Sequence, residues 1–205
     1  MRKLCGQGVE LFGRGEALLD SVYQLPFLNH VHQLDPGERV LGRRKRPVGR
    51  SWRMDETYIR VKGAWRYLYR AVDKQGQTID FLLTEHRDQE AALRFLKKAI
   101  RRHGVPETIT IDGSDANEAA IKRYNEIHGT HIIIRQVKYL NNVVEQDHRA
   151  VKRVTRPMLG FKSFDAAQVT LAGIELMHML KKQQMMVEAG DEGLTVAQQF
   201  YSLAA

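Results

Sequence analysis

A chain of 205 residues is long enough for one domain with a sizeable hydrophobic core and short additional arms. The hydrophobic content of 43% and charged content of 27% are ordinary for a folded protein, and no stretch approaches the roughly 18 apolar residues of a membrane span. The net charge of +8 and pI of about 9.7 favour a polyanionic partner. A single cysteine, Cys5, excludes an intramolecular disulfide and favours a reducing cytoplasm.

The first fifty residues predict an irregular N-terminal segment that ends in a basic linker. Residues 1–38 mix short patterns with Gly, Pro and His and show no sustained period. Residues 39–50, RVLGRRKRPVGR, combine six cations with glycine and proline. This composition is typical either of a solvated linker or of an arm that lies on nucleic-acid phosphates.

Three consecutive strands are predicted next. Residues 54–61 alternate between the two faces of a strand, and residues 65–72 form a second run of aromatic and β-branched residues. Lys62-Gly63 predicts a tight turn between them, and a second turn leads to a third strand over residues 78–83. Their order predicts an antiparallel meander.

Helices and strands alternate in the rest of the chain. The predicted elements are a helix over about residues 88–103, a strand over 108–111, a helix over 114–129, a strand over 131–137, a helix over 142–155 and a long helix after Asp165. This order predicts an α/β fold of the ribonuclease H-like kind, with a mixed five-stranded sheet flanked by helices. We assign residues 51–187 to this domain and residues 188–205 to a C-terminal tail.

Three acidic residues occupy positions that favour a functional site. Asp55 lies inside the first strand among apolar residues, where an ionised carboxylate is costly unless its charge is compensated. Asp112 follows the fourth strand, at the carboxyl end where ligand sites gather in such sheets. Glu145 lies in the first turn of the helix that begins at Asn142. Because the first and fourth strands are neighbours in this fold, the three carboxylates are expected to converge.

Each carboxylate also has an ordinary structural explanation. Asp55 fits a solvent-facing charge on an edge strand, whereas Glu56 is expected on the opposite strand face. Asp112 fits a turn residue or a helix cap. Glu145 has the capping-box spacing from Asn142. These alternatives stay open for each residue alone, although three such positions in this order seldom coincide by chance.

Three convergent carboxylates would make a hard oxygen site of the kind that Mg²⁺ prefers. Two such ions about 4 Å apart can activate a nucleophile and stabilise the leaving oxygen of a phosphoryl transfer. His148, Arg149 and Lys152 follow Glu145 on the same helical face, and Arg153 comes next. Cations there would suit DNA phosphates, and the alternative is an ordinary solvated face.

Three segments carry a resemblance to a known family, which covers about residues 43–186. They are WRMDETYIRVKGAWRYLYRAVD, ITIDGSDANEAAIKRYNE and RQVKYLNNVVEQDHRAVKR. They resemble bacterial insertion-sequence DDE transposases of the IS-six group. The resemblance implies an integrase-like fold and a catalytic triad of Asp55, Asp112 and Glu145. It also implies Mg²⁺-dependent cleavage at element ends, with two ions for which Mn²⁺ substitutes, and joining of 3′-hydroxyls to target DNA.

The partners expected from this resemblance are double-stranded DNA, as element ends and as target, and further copies of the chain in an active homo-oligomer. No membrane association is expected, and the location is expected to be cytoplasmic. The residues expected to contact DNA are Arg43, Arg44, Lys45, Arg46, His148, Arg149, Lys152 and Arg153. Trp65 and Tyr67 are expected to pack in the sheet rather than to stack on bases.

Residues 1–42 show no convincing helix-turn-helix, a module that similar transposases carry at the N-terminus. Specific recognition of element ends is therefore expected to be weak. The alternative function is that of a truncated, transposition-defective remnant that binds DNA or a full-length transposase. A ribonuclease H-like nuclease that does not transpose also fits the predicted fold.

Overall fold

Three antiparallel strands open the fold, as the sequence predicts. The computed structural model describes residues 45–186 and 193–204. The strands are β1 (Ser51–Val61), β2 (Ala64–Asp73) and β3 (Thr78–Thr84). Their β-branched and aromatic residues favour the extended backbone because such side chains pack well on a pleated surface.

The predicted turn between the first two strands is a two-residue hairpin loop. Val61 pairs with Ala64, so only Lys62 and Gly63 make the connection. Both have positive φ, 49° and 76°, which is the requirement of a type I′ turn. This turn twists in the same sense as the strands and therefore lets β1 and β2 stay paired to their ends.

Helices and two further strands alternate after the meander. They are α1 (Gln89–His103), β4 (Thr108–Ile111), α2 (Asp115–His128), β5 (Ile133–Gln136), a 3₁₀ helix (Lys138–Asn141), α3 (Asn142–Thr155), α4 (Phe164–Lys181) and α5 (Val196–Ala204). The sheet order is β3-β2-β1-β4-β5, with β4 parallel to both β1 and β5. The expected mixed five-stranded, ribonuclease H-like arrangement is confirmed, with β1 and β4 adjacent.

Local capping fixes where the main helices begin and end. The Asp88 carboxylate accepts a 2.8 Å hydrogen bond from the Ala91 N–H at the start of α1, and Gly104, at φ 77°, closes its end. The Ser163 hydroxyl oxygen accepts a 3.0 Å bond from the backbone N–H three residues on, where α4 begins. Both helices therefore start at the residue that satisfies their first free donors.

The two faces of the sheet bury different helices. On one face, Trp52 and Met54 of β1 join the core that α1 and α2 complete. On the other face, Ile59 packs with Val151 of α3 and Leu171 of α4. Because side chains alternate along a strand, odd-numbered β1 residues lie on the α3 and α4 side.

A buried ion network joins β2, α3 and α4 on that second face. The Arg70 guanidinium donates two 2.6 Å hydrogen bonds to Glu175, and both side chains are fully buried. Asp147 of α3 lies 3.3 Å from Arg70 and accepts a 2.5 Å bond from the Lys182 ammonium. Each buried charge is costly without its partners, so the network fixes both helices on the sheet.

The predicted terminal segments are described only in part. Residues 1–44, with Arg43 and Arg44, lie outside the described residues, as do residues 187–192. Lys45 forms an antiparallel bridge with Met185, which holds the last part of the linker against the chain that follows α4. The described part of the predicted tail contains α5. None of the described helices has the length and apolar character needed to cross a membrane.

Replacing Glu175 with Gln should lower the free energy of unfolding by about 3 kcal/mol, because Arg70 would lose the charge of its bidentate partner and keep only Asp147, at 3.3 Å. Urea unfolding followed by circular dichroism measures the change. Glu126→Gln, on the exposed surface of α2, is the matched control and should change stability by less than about 0.5 kcal/mol. Equal effects of the two substitutions would contradict the role given to the network.

His178 of α4 borders this network, with its Nδ1 atom 3.3 Å from the Arg70 guanidinium, and predicts a loss of stability in mild acid. Burial, followed by the positive charge of Lys182, lowers the pKa of His178 to about 4. Between pH 6.5 and 4 the unfolded chain therefore binds a proton that the folded chain does not, so stability is present above pH 6.5 and is lost as pH falls toward 4. His178→Gln should flatten this dependence by up to about 1.4 kcal/mol per pH unit, measured by urea unfolding at several pH values. An unchanged pH slope would refute the prediction.

Candidate active site

β1 and β4 place two of the predicted carboxylates side by side. The parallel register pairs Arg53 with Thr110. Asp55 and Asp112 each follow two residues later, so they occupy equivalent positions on strands that lie about 4.8 Å apart. Asp112 comes directly after the last residue of β4 and is exposed, whereas the Asp55 side chain retains 14% of its exposure.

Helix α3 brings the third carboxylate to the same end of the sheet. His148, which is buried in α3, has its Nε2 atom 3.4 Å from Oδ2 of Asp55. Glu145 lies one helical turn before His148, on the same face of α3, and is partly buried. The contact between His148 and Asp55 therefore fixes the direction from which Glu145 approaches β1.

The three carboxylates do not meet at the distance that a shared ion requires. Within residues 45–186 and 193–204, no three His, Cys, Asp or Glu side chains lie close enough to hold one metal ion. The expected convergence of the three carboxylates therefore stays a prediction. Ionised carboxylates repel one another, so a close approach costs free energy that a cation offsets.

The donor chemistry nevertheless fits a hard divalent cation. In the described part of the chain, the carboxylates of Asp112 and Glu145 make neither a hydrogen bond nor an ion pair. Among the described residues, Asp55 has one ionic partner, the His148 ring. Carboxylate oxygens that are not engaged by protein donors are the ligands that Mg²⁺ takes.

Of the three structural explanations, the edge-strand position of Asp55 and the capping box of Glu145 are wrong, and the turn at Asp112 is confirmed. Asp55 is not on an edge strand, because β1 lies between β2 and β4. The capping box is not formed, since Asn141 is the N-cap of α3 and makes no side-chain capping bond. Asp112 does precede a turn, where Gly113 has a φ of 99°. The turn explains the backbone at Asp112 and leaves its carboxylate without a structural role.

The cations predicted on α3 are not equally accessible. Arg149 and Arg153 are exposed and Lys152 is half-buried. Within the described residues, none of these three side chains forms an ion pair. His148 is buried against Asp55, so its expected place on a DNA-facing surface is wrong. Helical spacing correctly placed His148 on the same face of α3 as Glu145. At His148, however, this face packs against β1 and is not open to DNA.

The basic linker differs from expectation at Lys45. Its ammonium donates a 2.6 Å hydrogen bond to the Ile79 carbonyl and lies 3.4 Å from Nε2 of His103. Burial lowers the pKa of Lys45 to about 8. The side chain therefore points into the protein rather than toward phosphates, whereas Arg46 is exposed.

A polar cluster behind Asp55 is only partly indicated by the sequence. Glu56 lies on the opposite face of β1, as predicted, where it accepts a 2.9 Å hydrogen bond from Asn117 and a bond from Nε of Arg87. Burial raises the pKa of the Glu56 carboxyl, and the hydrogen bond from Asn117 opposes that shift. These bonds fix Glu56, the residue next to Asp55, on the face of β1 opposite the candidate site. The adjacent acids of the DET motif were its only signal in the sequence.

A model of the DDE domain family matches residues 49–184, which include the whole sheet and all three carboxylates. This chain belongs to the DDE domain family. The resemblance to insertion-sequence transposases of the IS-six group is thereby confirmed. Asp55, Asp112 and Glu145 lie in the segments on which that resemblance depends.

Two curated relatives come from Staphylococcus aureus. The chain is 41% identical over 138 residues to the transposase for insertion sequence-like element IS431mec, and equally to the transposase for insertion sequence element IS257 in transposon Tn4003. Each match covers 65% of this chain and 58% of the relative. The chain therefore spans less than two thirds of the length of these relatives.

Among solved structures, the fold is similar to the HTLV-2 integrase catalytic core domain in complex with magnesium, in its trimeric form. The TM-score is 0.50 at 17% sequence identity, and the match covers 76% of this chain and 98% of that one. At this identity the likeness concerns the fold alone. It agrees with the ribonuclease H-like arrangement seen in the strand order.

Divalent metal should stabilise the folded chain through these carboxylates. With Mg²⁺ or Mn²⁺ at about ten times its dissociation constant, the free energy of unfolding should rise by about 1.4 kcal/mol. Thermal unfolding with and without metal measures the shift. Asp112→Asn should abolish the response, while Asp165→Asn, an exposed acid of α4, should retain it. An undiminished shift in the Asp112 variant would exclude this residue as a ligand.

Proposed function

We propose that this chain is the catalytic core of a DNA transposase, which cleaves DNA strands and transfers them in a metal-dependent reaction. The observation that supports the proposal is that Asp55 lies on β1 beside the end of β4, which Asp112 follows, while His148, one turn after Glu145 on α3, contacts Asp55. Membership of the DDE domain family supports the same chemistry.

The three carboxylates are proposed to hold the divalent ions through their oxygen atoms. When bound, two Mg²⁺ ions, or Mn²⁺ in their place, supply Lewis acidity for the attacking hydroxyl and the leaving oxygen. Asp55 is held in place by β1 and by the adjacent His148 ring. Glu145 is carried by α3, which Asp147 anchors to the buried network two residues further on.

Phosphate binding is proposed for the exposed cations of α3. Arg149, Lys152 and Arg153 follow Glu145 on one side of the helix and have no acidic partner among the described residues. Their charges would hold the DNA backbone so that a phosphate lies near the carboxylates. Arg46, with Arg43 and Arg44 outside the described residues, is proposed to extend this contact along the linker.

The partners follow from the reaction. Double-stranded DNA is proposed as the substrate, both as element ends and as target, and the bacterial cytoplasm as the location. Because joining two element ends to one target requires two active sites, we propose a homo-oligomer as the active complex. The proposed domain covers residues 51–187, with the linker before it and the tail after it.

Purified protein with Mg²⁺ or Mn²⁺ should nick model element ends and join them to a second duplex. Asp112→Asn should lower both rates at least 100-fold, because a carboxylate ligand is lost while the fold is kept. Labelled oligonucleotides resolved on denaturing gels measure the products, and Asp165→Asn is the control. DNA binding without metal-dependent products would instead favour a remnant that only binds DNA, and nicking without joining would favour a nuclease.

Binding to duplex DNA should depend steeply on salt and little on sequence. If about five phosphates are neutralised, log K against log salt should have a slope near −4 to −5. Replacing Arg149 and Arg153 with Ala should flatten the slope by about two units. The control, with the same change in charge, replaces Arg94 and Lys97 on the exposed side of α1. Equal slopes for the two double variants would argue against α3 as the DNA-facing helix.

A further inference from the structure

The outer end of the hairpin formed by β1 and β2 carries two exposed aromatic side chains. Trp65 is 59% exposed and Tyr58 is 47% exposed, and their rings meet edge to face with centroids 6.3 Å apart. Trp65, expected to pack in the sheet, does contact Tyr58 across the hairpin but leaves more than half of its surface exposed, whereas Tyr67 packs against the core. The two rings thus form a pair of neighbouring aromatic faces that remain partly open to solvent.

These rings border a cleft of about 780 Å³ between the hairpin and the end of α3. Its ten lining residues include three cations, Arg60, Lys152 and Arg156, and no acid. In the part of the chain that the structure describes, these cations form no ion pair and no side-chain hydrogen bond. The cleft thus combines flat apolar rings with uncompensated positive charge.

The backbone that closes the cleft is tightly fixed to β1. The Phe161 N–H donates a 2.8 Å hydrogen bond to the Arg60 carbonyl, and the Phe161 carbonyl accepts one of 2.8 Å from the Lys62 N–H. Gly160 has a φ of 112°, and a Cβ there would lie 3.1 Å from the Arg60 carbonyl oxygen. Only glycine fits this approach, so the wall of the cleft is held in one position.

The cleft follows the candidate active site along β1 and α3. Four strand residues separate Asp55 from Ile59, which lines the cleft on the same face of β1, and this is about 13 Å. The rings of Tyr58 and Trp65 border the cleft from the opposite face of the hairpin. Seven helical residues separate Glu145 from Lys152, which is about 10.5 Å of α3. Both routes place the cleft about 10–13 Å beyond the carboxylates.

We propose that this cleft binds an unpaired DNA strand that continues from the candidate active site. Bases stack on Trp65 and Tyr58, and phosphates lie against Arg60, Lys152 and Arg156. Aromatic rings interleaved with cations are the chemistry that binds single strands, because bases inside a duplex do not offer their faces for stacking. The position of the strand rests on the proposed function, whereas the stacking chemistry rests on the cleft itself.

Tryptophan fluorescence gives a direct test, because the chain has two tryptophans and Trp52 is buried. The full chain is titrated, in EDTA to prevent cleavage, with a blunt duplex and with the same duplex carrying a short single-stranded tail. The tailed DNA should quench the Trp65 emission and bind at least tenfold more tightly than the blunt one.

Variants identify the groups that are responsible. Trp65→Ala and Tyr58→Ala should each lower the preference for tailed DNA several-fold, and Trp65→Phe should keep the preference while losing the emission change. Ile127→Ala, an exposed apolar residue of α2, is the matched control and should behave as the unmodified chain. Circular dichroism checks that each variant is folded.

Two results would overturn the inference. One is equal affinity for tailed and blunt DNA without a change in Trp65 emission. The other is an emission change that follows protein concentration in the absence of DNA, with sedimentation showing a dimer, which would make the cleft a contact between copies. If only the proposed transposase function is wrong, the chain should still prefer tailed DNA but should show no metal-dependent cleavage or joining. This result is distinct from the two above.

Discussion

The buried pair of Arg70 and Glu175 is the interaction on which the second face of the sheet depends. The two residues are separated by 105 positions in the sequence, and their bidentate contact joins β2 to α4 without access to water. Asp147 extends the pair into α3, and Lys182 compensates its charge. Such groups are satisfied only when both helices are in place, so the network selects one arrangement of α3 over the sheet.

That arrangement determines the candidate site. Asp147 and His148 are neighbours on α3, and one faces the buried network while the other faces Asp55. The position of Glu145 is therefore set by contacts made within one turn of it. On the other face of β1, Glu56 is held by Asn117 and Arg87, so the strand that carries Asp55 is fixed from both sides.

The sequence predicts the elements well where a pattern is local. The alternation in β1, the positive-φ turn at Lys62-Gly63 and the apolar run of β4 each depend on neighbouring residues, and each is confirmed. The inward orientation of Lys45 and the burial of His148 depend on which surfaces meet across the fold. Spacing along one helix identifies a face but not the element that packs on it. A strand pattern likewise does not tell that Trp65, although paired with β1, lies beyond the end of β3.

The unequal lengths of β1 and β4 have a consequence for how the chain behaves in solution. With 11 residues against 4, β1 extends well past its parallel neighbour. A strand end of this kind offers unpaired backbone groups to other chains and is a common origin of aggregation. The segment at Phe161 covers the end of β1, and the close approach at Gly160 makes that cover possible. A larger residue at position 160 would uncover this strand end, so Gly160 matters for keeping copies of the chain apart as well as for the local fold.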